Sequence, residues 1–217
     1  MNSQELFNGM INALIELDKD EVLNLVAKAL ADNVRPMDIL NGGITVGLQQ
    51  IGELFSEGEV FLPELLLAAD IAMGVMKDLS DRFGVGDQIE KRGRCIFATV
   101  EGDVHDIGKS LVCMIFSASG YEVLDAGVDV PSQKIIDMIK EEKPDVVGLS
   151  SLLSTTMQAQ REFIEAAKEA GLRDSFKIMV GGAPVSREWA EKIGADGYAE
   201  DASSAVVEVD KLLEQRV

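Results

Sequence analysis

One histidine occurs in the chain. It lies in Glu101-Gly102-Asp103-Val104-His105-Asp106-Ile107-Gly108-Lys109-Ser110, among carboxylates and glycines. A neutral imidazole so placed can bind a metal through one ring nitrogen while the other donates to a carboxylate that fixes its tautomer. Asp103, two residues before His105, is suited to be that carboxylate. Zinc or iron held by protein alone needs three or four ligands, and no second histidine, CxxC pair or carboxylate trio accompanies this one. His105 is therefore a metal ligand only if a macrocycle supplies the rest; otherwise it is a surface or capping residue. Gly102 and Gly108-Lys109-Ser110 also approach a phosphate-binding loop. That loop has four residues between its glycines, whereas this segment has five (103–107), and Glu101, Asp103 and Asp106 would repel a phosphate.

The loop follows a short apolar run, Cys95–Val100, the first of several. Glu122–Val128, Asp145–Ser150, Lys177–Val180 and a weak fifth near Gly197–Glu200 alternate with helical stretches, which predicts βαβ units and a parallel sheet. Turns at the carboxyl ends of parallel strands are where ligands bind. Sites are thus expected at Glu101–Gly108, Asp129–Pro131, Ser150–Thr156 and Gly181–Pro184.

Residues 1–84 read as helices alone. Ser3 is expected to cap a first helix through about Leu17 with Leu6, Met10, Leu14 and Leu17 on one face. A second carries Val22, Leu25, Val26, Ala29 and Leu30. Pro36 opens a third to about Phe55, and Pro63 a fourth carrying Leu66, Leu67, Ala69, Met73, Met76 and Leu79. Four helices with short connections suggest a small bundle. Gly42, Gly43 and Gly47 within the third serve either close helix packing or close approach to a ligand. The polar stretch 85–93 reads as a linker, with Gly84 and Gly86 of hinge-like composition, leaving 94–217 as the α/β domain.

The 217 residues include 47% hydrophobic and 27% charged, enough for a packed core. Twenty Lys and Arg against 38 Asp and Glu give a net charge of −18, a surface that repels nucleic acid and anionic membranes. No apolar run is long enough to span a bilayer, and Met1–Glu5 does not begin a signal peptide. Cys95 and Cys113 read as core thiols, Trp189 and Tyr198 as aromatics of the last βα units, and a reducing cytoplasm is the expected address.

Asp103-Val104-His105-Asp106-Ile107-Gly108 resembles the D-x-H-x-x-G signature of cobalamin-binding domains. Forty-one residues (109–149) lead to Ser150-Ser151-Leu152, similar to the family's S-x-L, and 28 more (153–180) to Gly181-Gly182, similar to its G-G. The helical half, with Gly58-Glu59-Val60-Phe61-Leu62-Pro63-Glu64, resembles the four-helix cap of methyl-carrying corrinoid proteins. Thr155-Thr156-Met157-Gln158, Val180–Ser186 and Ile193-Gly194-Ala195-Asp196 look closest to the corrinoid proteins of methylamine or betaine-like amine methyltransferase systems.

The resemblance implies a helical cap followed by a flavodoxin-like (Rossmann-like), doubly wound, five-stranded parallel domain that binds cobalamin or a related corrinoid. By the same motif match His105 would be the lower axial ligand of cobalt, Asp103 would accept its second ring N–H, and Thr156 would complete the relay where the family usually has Ser. Gly102, Val104, Asp106, Ile107 and Gly108 would surround the ligand. Ser150, Leu152 and Thr155 would line the channel for the nucleotide tail, and Gly181 and Gly182 would let the backbone pass close to it. Phe61, Leu66 and Met73 would shield the corrin's upper face, although helix-spaced apolar residues are more often core. The implied function is to carry a methyl group on cobalt from a substrate-specific methyltransferase to a second methyltransferase that serves coenzyme M or tetrahydrofolate, with a reductive activase as a further partner. Two alternatives share the motif: the small subunit of an adenosylcobalamin mutase, and a cobalamin-sensing regulator. A flavodoxin-like fold without cofactor is what an accidental match would leave.

Overall fold

The computed structural model describes residues 2–80 and 92–214. They fall into two compact units. One is built from the N-terminal helices together with Ser117–Gly120; the other holds Arg92–Phe116 and the residues from Tyr121 onward. Residues 85–91 of the expected linker, and Gly84 and Gly86 with their hinge-like composition, lie outside the described residues.

The helical unit comprises α1 (Ser3–Ile15), α2 (Lys19–Ala31), α3 (Pro36–Ile39), α4 (Thr45–Ser56) and α5 (Leu62–Ser80). Asn2, one residue before the expected Ser3, caps α1. Its side chain accepts the Glu5 N–H at 2.8 Å while its own N–H reaches the Glu5 carboxylate at 2.9 Å, a reciprocal box that a serine one position later cannot form. Leu6, Met10 and Leu14 are buried as expected, but α1 stops at Ile15 and Leu17 takes a left-handed φ of 60°. The third helix runs from Pro36 to Ser56 as expected, with Leu40–Ile44 forming one π-helical turn between α3 and α4. Gly42, Gly43 and Gly47 there serve helix packing. A Cβ at each would come within 2.8–2.9 Å of Phe7, Met10 and Leu14 of α1, respectively. Of the apolar residues expected on the fourth helix, Ala69 and Leu79 are buried in α5. Leu65, Ala68, Ala69, Ile71, Ala72, Val75 and Leu79 face inward, whereas Leu67 is exposed and Leu66, Met73 and Met76 are half-buried.

The second unit alternates β1 (Arg94–Val100), α6 (Ile107–Ala118), β2 (Glu122–Val130), α7 (Ser132–Glu142), β3 (Val146–Ser150), α8 (Met157–Glu169), β4 (Lys177–Gly181), α9 (Arg187–Ile193), β5 (Gly197–Tyr198) and α10 (Ala202–Glu214). The strands form one parallel sheet in the order β2-β1-β3-β4-β5, the flavodoxin-like doubly wound arrangement. β1 is central and buried along almost its whole length. On one face Ile96, Ala98, Val147, Leu149 and Ile178 pack against Ile135, Ile139, Phe163 and Ile164 of α7 and α8. On the other, Phe97 lies over Gly148, where a Cβ would meet its ring at 2.3 Å, and stacks edge-on against Phe116 at 4.8 Å. Among the described residues no helix is long and apolar enough to cross a membrane.

Candidate functional site

The chain leaves β1 and β3 on opposite sides of the sheet, so the loops after these two strands open a crevice at the carboxyl edge. The loop after β1 carries Asp103 and His105; the loop after β3 carries Ser151, Leu152 and Thr156. Asp103 joins them. Its side chain is completely buried, and one oxygen, Oδ1, accepts the His105 backbone N–H at 3.0 Å and faces His105 Nδ1 at 2.7 Å. The other, Oδ2, accepts from Leu152 N at 2.8 Å, Leu153 N at 3.3 Å and Thr156 Oγ1 at 2.8 Å. Burial alone would raise the carboxyl's pKa. The hydrogen bonds from the His105 backbone and ring, Thr156 and Leu152 outweigh it and hold the group well below the usual carboxylate range.

An ionised Asp103 can only accept, which orients the chain of protons. Nδ1 of a neutral His105 carries the ring hydrogen, and Thr156 donates to Asp103. Ser151 Oγ, fully buried and 2.8 Å from Thr156 Oγ1, donates to Thr156. Thr156 occupies the N-cap position of α8 without capping it, its hydroxyl being committed to Asp103. Among the described residues His105 Nε2 has no hydrogen-bond partner, on a side chain 47% exposed. Val104 and Ile107, on either side in sequence, are 69% and 83% exposed, and Leu152 and Leu153 are also exposed. Such a cluster of bare apolar side chains around a free imidazole nitrogen suits a broad apolar group that also binds the nitrogen. Among the described residues no three His, Cys, Asp or Glu are disposed to hold a metal ion. A corrin ring, which brings cobalt and four of its ligands, fits these residues.

The loop is braced from several directions. Thr99 Oγ1, buried at the end of β1, donates to the His105 carbonyl at 2.9 Å. Asp129, in the left-handed region at φ 51°, accepts Gly102 N at 2.7 Å and donates its own N–H to the Asp103 carbonyl at 2.8 Å. Lys109 is buried between Asp106, at 2.8 Å, and Asp125. That pairing occupies the ammonium which a phosphate-binding loop would need free.

Of the residues singled out from sequence, Asp103, His105, Thr156, Leu152 and Val104 converge here. Gly102 and Asp106 are exposed on the same loop, Ile107 and Gly108 at the start of α6, and Thr155 on the neighbouring loop. Ser150 ends β3, half-buried and paired in register with Thr99 and Gly181. The hydroxyl in the network belongs to Ser151. Gly182 has φ 120°, and a Cβ there would sit 1.9 Å from the Ser151 carbonyl oxygen, so its missing side chain makes room for the loop after β3. Gln160, fully buried on α8, donates to the Leu149 and Gly181 carbonyls at 3.0 and 3.2 Å and accepts from Trp189 Nε1 at 2.9 Å, tying the ends of β3 and β4 together. Phe61 and Met73 belong to the helical unit, Phe61 68% exposed and Met73 half-buried.

Residues 93–207 match a B12 binding domain family, and residues 6–86 match a second family of the same description. The chain is 43% identical to dimethylamine corrinoid protein 2 of Methanosarcina acetivorans, over 98% of both chains. It is similar to a crystal structure of a cobalamin-binding protein from Desulfitobacterium hafniense, with a TM-score of 0.84, 33% identity and coverage of 97% and 98%. It is also similar to a chain of the methanol:cobalamin methyltransferase complex of Methanosarcina barkeri, with a TM-score of 0.79, 28% identity and coverage of 99% of this chain and 80% of that one. An imidazole held at Nδ1 by a buried carboxylate at the mouth of a flavodoxin-like sheet agrees with these matches, and the protein belongs to the B12-binding corrinoid protein family.

Proposed function

We propose that this chain carries a methyl group on a protein-bound corrinoid, between a methyltransferase specific for a methylamine and a second methyltransferase that serves coenzyme M or tetrahydrofolate. One observation carries the reading: His105 is held as the Nδ1–H tautomer by buried Asp103, and Nε2 faces outward from an apolar rim. When bound, the corrinoid supplies a cobalt centre able to accept and release a methyl group.

His105 Nε2 is the atom that would bind the cobalt. Asp103 fixes the ring's direction and tautomer, and Thr156 steadies Asp103 by donating into it, with Ser151 against the Thr156 hydroxyl. The 2.7 Å contact between Nδ1 and Asp103 Oδ1 would keep the ring hydrogen on Nδ1 and Nε2 available to a metal, and Thr156 holds Asp103 from the other oxygen. Val104, Ile107 and Leu152 are exposed apolar side chains that would exclude water around a bound corrin. Gly102, Asp106 and Gly108 complete the loop. Ser150, Thr155, Gly181 and Gly182 flank the crevice proposed for the nucleotide tail, and Phe61 and Met73 are the apolar residues proposed to cover the corrin's other face. A reductive activase is a proposed third partner, and the cytoplasm the proposed compartment. The name of the dimethylamine relative and its 43% identity favour methylamines over methanol as the donor class.

The test is reconstitution with hydroxocobalamin, followed by methyl transfer from mono-, di- or trimethylamine or methanol in the presence of each cognate methyltransferase. Stoichiometric corrinoid and turnover with a methylamine are expected. Failure to retain corrinoid would remove the carrier function, and turnover with methanol alone would overturn the donor class.

A further inference from the structure

We propose that Lys109 is a positioning residue for His105: its buried ammonium ties Asp106, the residue after the histidine, to Asp125 of β2 and so fixes the loop that aims the imidazole. The Lys109 side chain is 2% exposed, whereas Asp106 and Asp125 reach it from the surface at 55% and 42%. Lysine is rarely buried so deeply unless paired. Burial opposes its charge, but the hydrogen bonds to Asp106 and Asp125 outweigh it, so the ammonium persists.

Both partners occupy special positions. Asp106 directly precedes α6, and its other carboxylate oxygen accepts from Ser110 Oγ at 3.0 Å. Asp125 stands where β2 bulges: Phe97 pairs with Asp125 and Ala98 with Gly127, and the Asp125 carboxylate also accepts the Gly127 N–H at 2.9 Å. The His105 backbone is therefore gripped on both sides, by Asp103 upstream and by the Asp106–Lys109–Asp125 bridge downstream. Buried ion pairs contribute little to stability compared with apolar residues of equal size. What this one supplies is geometry, a fixed distance between the loop and β2 that a methionine could not impose.

The inference rests on the proposed role of His105 for only one of its two readouts. The untagged full chain, Lys109→Met and Asp125→Asn are compared, each checked for folding by circular dichroism. In the cofactor-free protein, amide exchange at His105, whose N–H donates to Asp103, is expected to quicken by roughly fivefold or more in both variants. After reconstitution with cobalamin and reduction to Co(II), paramagnetic resonance is expected to show the nitrogen-coordinated fraction reduced by roughly twofold or more, with bound corrinoid undiminished. Should Lys109→Met fail to fold, Asp125→Asn decides alone, since it alters a half-exposed partner and leaves Lys109 paired with Asp106. Unchanged amide exchange in a folded variant overturns the positioning role. Absence of protein nitrogen coordination in the unsubstituted chain instead overturns the ligand role of His105, and amide exchange still decides the bridge.

Discussion

Replacing Asp103 by asparagine keeps the side chain's volume and changes the logic of every hydrogen bond it makes. The amide nitrogen has two places to go. At the Oδ2 position it would confront the N–H groups of Leu152 and Leu153 and displace the Thr156 hydroxyl proton. At the Oδ1 position it confronts one backbone donor, His105 N, and the imidazole. The second arrangement is cheaper and leaves one buried N–H without an acceptor, at about 1–3 kcal/mol. The bonds from Leu152 and Thr156 also lose their charge assistance, bringing the total to about 2–4 kcal/mol. The imidazole must now accept at Nδ1, so its hydrogen moves to Nε2, the atom otherwise free. Both consequences are measurable in the cofactor-free protein. Urea unfolding followed by the fluorescence of Trp189, the chain's one tryptophan, which lies in the α/β unit, gives the stability loss. Nitrogen-15 resonances of the single histidine give the tautomer. A variant within about 0.5 kcal/mol of the parent, or one that keeps its proton on Nδ1, would refute the reasoning.

The same substitution carries a pH signature. The Asp103 pKa is depressed in the fold, so its contribution is full above the unfolded carboxylate's value near 3.9 and is lost as pH falls toward the folded value. The part of the stability gap between parent and Asp103→Asn that comes from the carboxylate should thus be present at about pH 5 and close in stronger acid, as followed by urea unfolding. Thr156→Val removes a donor to Asp103 and a partner of Ser151 and is expected to cost about 1–3 kcal/mol, whereas Thr156→Ser, which keeps the hydroxyl, should cost under about 1 kcal/mol in the same assay. Gly182→Ala places a Cβ 1.9 Å from the Ser151 carbonyl oxygen at φ 120° and should destabilise by more than about 3 kcal/mol. Gly181→Ala, whose new Cβ meets nothing nearer than 3.5 Å, serves as the mild control. The Cys113 thiol is pushed up to about 12 by burial and by the charge of Asp125, so its alkylation by iodoacetamide at pH 8 should run at least about tenfold slower than that of an ordinary exposed cysteine.

The sheet was legible in the sequence because each strand is a short apolar run punctuated by a turn, and a central parallel strand such as β1 shows no polar face to confuse its reading. His105 and Asp103 were legible because they lie two residues apart. Ser151 was harder to choose than Ser150. The two are adjacent, and only the strand's exit from the sheet decides which hydroxyl turns toward Thr156. Thr99, Asp129, Lys109 and Gln160 brace the loops through partners that the three-dimensional fold supplies, and no local pattern marks them. In the helical unit α5 is apolar around much of its circumference, so periodicity alone does not separate its packed side from the shoulder that carries Leu66 and Met73. The π turn at Gly42-Gly43 is likewise invisible locally, since its register is set by Phe7 and Met10.

The most direct measurement uses the fact that the chain holds one histidine. The untagged protein, produced with natural-abundance or nitrogen-15 histidine, is reconstituted with cobalamin, reduced to Co(II) and studied by electron paramagnetic resonance. A nitrogen hyperfine pattern that changes with the isotope of the histidine is the expected result, because only His105 can then be the ligand. A pattern indifferent to the label, whether from the cofactor's own base or from no nitrogen at all, would contradict the role assigned to His105.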